Sequence, residues 1–459
     1  MEDTKSLIRH LLEGGSSLVE EIVSRGFSTR RSVEEQIERS KAHWSSRVDF
    51  DSSDDDDSSV QLFEALQRHE PERAMSKCSA EEGNLQVFEA LQMHPTFGGF
   101  FATFGDGGGV HYHGKLEVGE KFAEGAQAQL YDVQVKWCNP KDIEMDVRAG
   151  GREFVLKVFK KGTHLKHLKS QFPEGLFQSH VESMQNLYSS TPKVLPQYYC
   201  FVHRGTLLPD GRFAFLMRKE NLDLRSLIDN NMRWGLGRFC GPFSRREAEY
   251  MMYRVALGLD WLHSRDIAHR DLKAANVLVR IPKMEGLRSW IRSVFLFIRK
   301  PNPGMFRMCF VADYECSIGV VGTGFFMAPE ILQACKDGKP NKRPEVFSKA
   351  SDIYSFGMTC YEILVGKLPF EDYPLNGKHD RDVLTDLVMN RHFRPEVPGY
   401  VEPWIRELLR RCWQSDPTAR PSIGEILDLL SSNSVEARNY ENFLKRDYGE
   451  KFRSNFKQD

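Results

Sequence analysis

Apolar and polar positions change their period along this chain. Within residues 6–37, Leu7, Ile8, Leu11 and Leu12, then Leu18, Val19, Ile22 and Val23, fall at helical spacing on either side of Gly14-Gly15. Two short helices are expected there. The helical period returns in an internal repeat, where residues 61–69 (QLFEALQRH) recur 25 positions later as 86–94 (QVFEALQMH). In each copy two adjacent apolar residues are followed by a third one turn on: Leu62, Phe63 and Leu66, then Val87, Phe88 and Leu91. Each copy therefore predicts a short amphipathic helix. Two copies are too few for a stacked solenoid, which needs about three. A pair of helices docking on the neighbouring domain is the plainer expectation, and a partner-binding motif is the alternative.

From about His111 the pattern becomes strand-like. Residues 115–122, 129–137 and 154–159 are rich in branched and aromatic side chains, with glycine and Asn-Pro punctuation between them. After about Asp223 the helical period dominates, most clearly over 247–263, with Ala248, Met251, Met252, Val255, Ala256, Leu259 and Leu262 on one stripe. A strand-rich half followed by a helix-rich half predicts an α+β fold of two lobes with a cleft between them. The acidic run 51–59 (DSSDDDDSS) should stay solvated, and the glycine-rich stretch 98–109 reads as a spacer. The resulting division is a helical segment at 1–50, an acidic linker at 51–59, and the repeat pair with its spacer at 60–110. A small lobe at 111–222 and a large lobe at 223–432 follow, then a charged tail at 433–459, expected to be a solvated helix or disordered.

Composition narrows the class. The chain has 459 residues, 41% hydrophobic and 28% charged, enough for sizeable buried cores. Its formal net charge of −1 gives no global field to recruit nucleic acid. Nine cysteines, never spaced as Cys-x-x-Cys, suggest neither a disulfide framework nor a zinc site. The N-terminus does not read as a signal peptide and no apolar run reaches membrane-spanning length, so a cytoplasmic location is expected. His111 and His113 lack further ligands at useful spacing, so they are not read as a metal site.

The chemistry sits in a contiguous motif. Residues 269–276 run His269-Arg270-Asp271-Leu272-Lys273-Ala274-Ala275-Asn276, which matches His-Arg-Asp-x-Lys-x-x-Asn without a gap. Here the chain resembles the catalytic loop of the protein kinase family. The resemblance implies a bilobal kinase fold and transfer of the γ-phosphate of ATP, with Mg2+, to a protein hydroxyl. It casts Asp271 as the residue that accepts or orients the hydroxyl proton, Asn276 as a metal ligand and Lys273 as a cation on the γ-phosphate. A lysine at that place is the serine/threonine pattern of the family. Upstream, Lys157 in Phe154-Val155-Leu156-Lys157 would grip the α- and β-phosphates, and Val155 would roof the adenine.

Other segments fit with departures. Ala123-Glu124-Gly125-Ala126-Gln127-Ala128 keeps only the middle glycine of the family's Gly-x-Gly-x-x-Gly, so Gly125 alone permits close backbone approach to phosphate and weakened nucleotide binding is expected. Asp313-Tyr314-Glu315 stands where the family has Asp-Phe-Gly. Asp313 would hold Mg2+, and Tyr314 can replace phenylalanine if its hydroxyl finds a partner. Glu315 removes glycine's flexibility and could add a carboxylate near the metal. Ala328-Pro329-Glu330 with Arg420, Asp352 and Thr323 resemble the family's structural anchors, and Arg411-Cys412-Trp413 through Pro417 is similar to the tyrosine-kinase-like group, with its many plant members. The family's helix glutamate, which pairs with the strand lysine, is replaced in alignment by His180; Glu182, about 200° around a helix from it, and Glu174 are the other candidates.

Only 12 residues lie between Glu315 and Ala328, with Ser317 and Thr323 as the hydroxyls, so little dependence on phosphorylation of this segment is expected. By contrast 36 residues separate Asn276 from Asp313. The surplus, an insert at about 281–308, carries an aromatic stretch at 290–300 flanked by basic residues. It is expected to pack on its own domain; contact with a membrane surface is the alternative. A serine/threonine protein kinase acting on protein substrates is the leading expectation. A pseudokinase scaffold, which keeps the fold without catalysis, is the second. A third gives the N-terminal 110 residues the main role, docking a partner.

Overall fold

The second copy of the repeat lies in the first described element. The computed structural model describes residues 80–448, except for 96–97, 106–111, 126, 139–152, 178–180, 182–197, 234–240, 282–306, 319, 321, 339–342 and 374–377. The paired helices expected within 6–37, the acidic run, the first repeat copy and the 290–300 stretch lie outside the described residues, as do His180 and Glu182. The second copy falls in helix α1 (Ala80–Gln92), and its apolar stripe faces inward, with Phe88 and Leu91 buried. Asn84, on the same helix, takes the backbone N–H of Leu165 at 2.6 Å and donates to the carbonyls of Thr163 and Gly211 at 3.1 and 3.0 Å. The first part of the glycine-rich stretch is not a spacer: Phe100 and Phe101 are fully buried and pack edge-on 5.2 Å apart. Two bulky aromatic rings outweigh the glycines around them, because their burial is worth more than glycine's freedom.

Asn84→Ala is expected to cost roughly 1–3 kcal/mol, since it strands a buried amide and two carbonyls. Urea unfolding checks this, and a loss within error of zero would show that the helix does not brace the small lobe.

The small lobe is a six-stranded sheet in the order β1-β2-β3-β4-β6-β5. Its strands are β1 (Thr103–Phe104), β2 (Tyr112–Glu124), β3 (Ala128–Trp137), β4 (Phe154–Phe159), β5 (Val202–Leu207) and β6 (Phe213–Arg218). The strands expected from 115–122, 129–137 and 154–159 are β2, β3 and β4. Pairing is antiparallel except between β1 and β2. Alternation along β4 decides what faces the cleft. Phe154, Leu156 and Val158 join one apolar cluster with Val133, Ala214 and Leu216. A strand's period of two then sends Val155 and Lys157 together to the opposite face.

The large lobe opens with β7 (Leu222–Asp223) and helices α2 (Leu224–Arg233) and α3 (Arg245–His263). It continues with β8 (Val277–Arg280), β9 (Met308–Val311), α4 (Pro329–Lys336), α5 (Lys349–Val365), α6 (Lys378–Asn390), α7 (Pro403–Cys412), α8 (Ile423–Asn433) and α9 (Val435–Tyr448). Strands β7, β8 and β9 form a three-stranded sheet. Helix α3 matches the long apolar stripe and begins at Ser244, whose hydroxyl accepts from the N–H of Glu247. It lies tight against β9: a Cβ on Gly258 would sit 2.5 Å from the Tyr198 carbonyl oxygen and 2.6 Å from Val311. The described part of the tail, helix α9, is packed and not solvated all round. Ala437, Tyr440 and Leu444, at helical spacing on α9, are buried, and the Tyr440 ring lies 5.4 Å from that of Tyr250. Glu436 on the same helix is buried too and pairs with Arg246 at 3.1 Å, so even part of the charge that gave this segment its polar look is packed inward. Among the described residues no helix is long and apolar enough to cross a membrane.

Candidate active site

The loop between α3 and β8 carries Asp271, and one buried carboxylate shapes it. Asp352, on α5, accepts the N–H groups of His269 and Arg270 at 2.8 and 2.9 Å and contacts His263 Nε2 at 2.9 Å. Arg270 consequently adopts a left-handed backbone, φ 68°, which a non-glycine residue takes only when its surroundings impose it. Glu362, one helical face further along α5, accepts the N–H of Ala274 at 2.8 Å and pairs with Arg225. Its carboxyl is pushed up to about 7, first by burial, against the pull of Arg225 and the Ala274 amide.

On this loop the predicted residues meet. Thr323 donates its hydroxyl to Asp271 Oδ1 at 2.6 Å, and Lys273 Nζ lies 2.9 Å from Asp271 Oδ2 and 2.6 Å from the Thr323 hydroxyl. Asn276 Nδ2 donates to the Asp271 carbonyl at 2.8 Å and to its Oδ2 at 3.1 Å. That fixes the amide and leaves the Asn276 side-chain oxygen free to accept. Asp271 is thus held on both oxygens by groups from two segments.

A second cluster sits across the cleft. Lys157 Nζ lies 3.0 Å from Asp313 Oδ1 and 3.0 Å from Glu315 Oε2. The Asp313 side chain is 54% exposed, whereas that of Glu315 is fully buried. Ala312 ties this cluster to the first: its N–H donates to the Asn276 carbonyl at 2.9 Å and its carbonyl meets His269 Nε2 at 2.8 Å. Tyr314 fills the phenylalanine's place, fully buried, and its hydroxyl finds a partner in the Cys200 carbonyl at 3.0 Å.

A profile of the protein kinase domain matches residues 148–429, more than half of the chain. The chain belongs to the protein kinase family. Among its relatives, the serine/threonine-protein kinase STY46 of Arabidopsis thaliana is 30% identical over 330 residues, covering 70% of this chain and 44% of the relative. A light-sensor protein kinase of Ceratodon purpureus is 29% identical over 229 residues, 47% of this chain and 16% of the relative. The dual specificity protein kinase shkD of Dictyostelium discoideum is 28% identical over 233 residues, 50% and 27% respectively. The chain spans less than half the length of each. The kinase resemblance and the two-lobed α+β fold expected from the sequence are both borne out.

The kinase's own side chains suit a nucleotide and a divalent cation. Lys157 is opposed by burial, yet the carboxylates of Asp313 and Glu315 hold its ammonium well above the ordinary range. The same lysine holds the Asp313 carboxyl below its ordinary value despite desolvation. The carboxylate oxygens of Asp313 and the free amide oxygen of Asn276 are the hard donors that Mg2+ takes. Gly125 directly follows β2 and opens the turn to β3, its N–H donating to the Ala128 carbonyl at 2.8 Å. Among the described residues a Cβ there would meet only that carbonyl oxygen, at 3.8 Å. Val155 is buried in β4. The structure therefore brings Asp271, Lys273 and Asn276 together, and Lys157 with Asp313, while Gly125 and Val155 sit in the small-lobe sheet with no contact to either cluster among those described.

The contact of Glu315 with Lys157 is one that sequence reasoning did not anticipate. Of the three candidates, Glu174 has a described backbone, in a 3-10 turn at Glu174–Leu176, but not a described side chain. The side chains of His180, Glu182 and Glu174 all lie outside the described residues, while Glu315 stands against the lysine at 3.0 Å. Its signal was present as an acid in a glycine's place, which was weighed only as an extra carboxylate near the metal. Ser317 is buried and Thr323 is engaged with Asp271, so neither hydroxyl of the short segment stands open to a modifying enzyme.

Proposed function

We propose that this kinase transfers the γ-phosphate of ATP to serine and threonine hydroxyls of protein substrates, with Mg2+ as the metal. The observation that carries the reading is the Asp271 carboxylate, held by Thr323 and Lys273 and joined through Ala312 to the segment bearing Asp313. Asp271 would orient the attacking hydroxyl and take its proton, and Lys273 would offset charge on the γ-phosphate. Lys157 would position the α- and β-phosphates, with Gly125 and Val155 lining the nucleotide's phosphate and adenine ends. Asn276 and Asp313 would hold Mg2+, which supplies neutralisation of phosphate oxygen charge. Serine/threonine choice is supported by Lys273 and by relatives that carry that name. The seven described cysteines are all unpaired, which supports the cytoplasmic location proposed for it.

The scaffold reading rests on the single remaining glycine of the phosphate turn and on Glu315. Transfer of labelled phosphate from ATP to a mixed library of serine, threonine and tyrosine peptides separates the two. Label is expected on serine and threonine, and EDTA should abolish it. Absence of label with Mg2+ present would leave the scaffold, and label on tyrosine as well would place the chain with its dual-specificity relatives.

A further inference from the structure

Burying a carboxylate costs several kcal/mol unless a cation and hydrogen bonds compensate it. Glu315 is such a group, with a fully buried side chain, and the described residues give it one ion pair, to Lys157 at 3.0 Å. Its second oxygen, Oε1, has no hydrogen-bond partner among them. Energetically, then, the lysine is what permits an acid at this position. The relation also runs the other way. Lys157 projects from the face of β4 that carries Val155, and its other carboxylate, Asp313, is largely exposed and is the group assigned to the metal. With Asp313 alone, the ammonium would be drawn onto a metal ligand and compete with the cation for it.

We propose that Glu315 is a positioning residue: it supplies the fixed counter-charge that holds Lys157 at the phosphates and frees Asp313 for the metal. This counter-charge comes from the segment that bears the metal ligand, two residues further on. One segment then sets both requirements of the nucleotide site, the lysine's place and the metal ligand's. Tyr314, between the two acids, anchors that segment through its bond to Cys200. Asp313 cannot turn out of the cleft without pulling Glu315 off Lys157, so the two contacts are made and lost together. The proposal rests on the nucleotide-site reading above.

The test is a double-mutant cycle on the full chain, read without nucleotide, together with ATP affinity. Lys157→Met strands the buried acid and should lower the melting midpoint by about 5 °C. Adding Glu315→Gln to it should restore most of that loss. Glu315→Gln alone should weaken ATP binding about tenfold, the scale of one charge-assisted hydrogen bond. Glu315→Asp should recover part of the affinity, which a purely structural role would not give if both variants melt alike. Losses that simply add in the cycle, or wild-type ATP affinity in Glu315→Gln, overturn the proposal. A wild type that binds no ATP overturns instead the nucleotide site beneath it, whatever the cycle shows.

Discussion

Asp271→Asn is expected to lower kcat by about 10²–10⁴-fold, the usual worth of general base action, with little change in melting temperature. The exchange keeps the side chain's size and hydrogen-bonding plane. Thr323 can still donate to the amide oxygen, and Asn276 keeps its bond to the backbone carbonyl of residue 271. What changes is charge and the two contacts at Oδ2, from Lys273 and from the Asn276 amide. The amide nitrogen would face Lys273 Nζ, now 2.9 Å from Oδ2, and two donors cannot share that distance. Lys273 should therefore swing away, so part of the loss comes from the phosphate's cation and part from the missing base. Steady-state kinetics with matched ATP titrations would check this. The Michaelis constant for ATP should move far less than kcat, because Lys157 and Asp313 are untouched. A variant with wild-type kcat would remove Asp271 from its proposed role.

The legible and illegible parts of this molecule divide by sequence separation. The catalytic loop could be read directly because eight neighbouring residues carry it, and its geometry follows from local backbone shape. Strands β2, β3 and β4 were legible for a similar reason: branched and aromatic residues flanked by turn signals leave few alternatives. Glu315 was not, since its partner lies 158 positions away and nothing local couples an acid there to a lysine on a strand. Phe100 and Phe101 were hidden by the glycines around them, which dominate a composition window while the two rings dominate the burial. Helix α9 was hidden by its charges, although Ala437, Tyr440 and Leu444 already marked a buried stripe. In each case contacts made from farther along the chain decided what is buried, and the local pattern did not carry them.

Arg420→Ala should produce the largest stability loss, roughly 3–5 kcal/mol, the cost of breaking a buried ion pair from one side. The Arg420 side chain is fully buried and meets both oxygens of Glu330 at 2.7 Å. It also donates to the carbonyls of Ala350 at 2.9 Å, Gln414 at 2.8 Å and Ser415 at 3.3 Å. Removing the guanidinium therefore strands a carboxylate at the start of α4 and three backbone acceptors, one at the start of α5 and two adjacent ones after α7. A fall in melting temperature on the order of 10 °C is expected for a lobe of this size. Glu330→Gln should cost less, because the amide oxygen still accepts and the three carbonyls stay satisfied. The double variant should lose less than the sum of its parts, since the pair is broken once. Such a pattern would assign the effect to the ion pair and its carbonyl contacts. Equal, additive losses would assign it to packing against the Tyr354 ring, over which the Arg420 guanidinium lies at 5.3 Å.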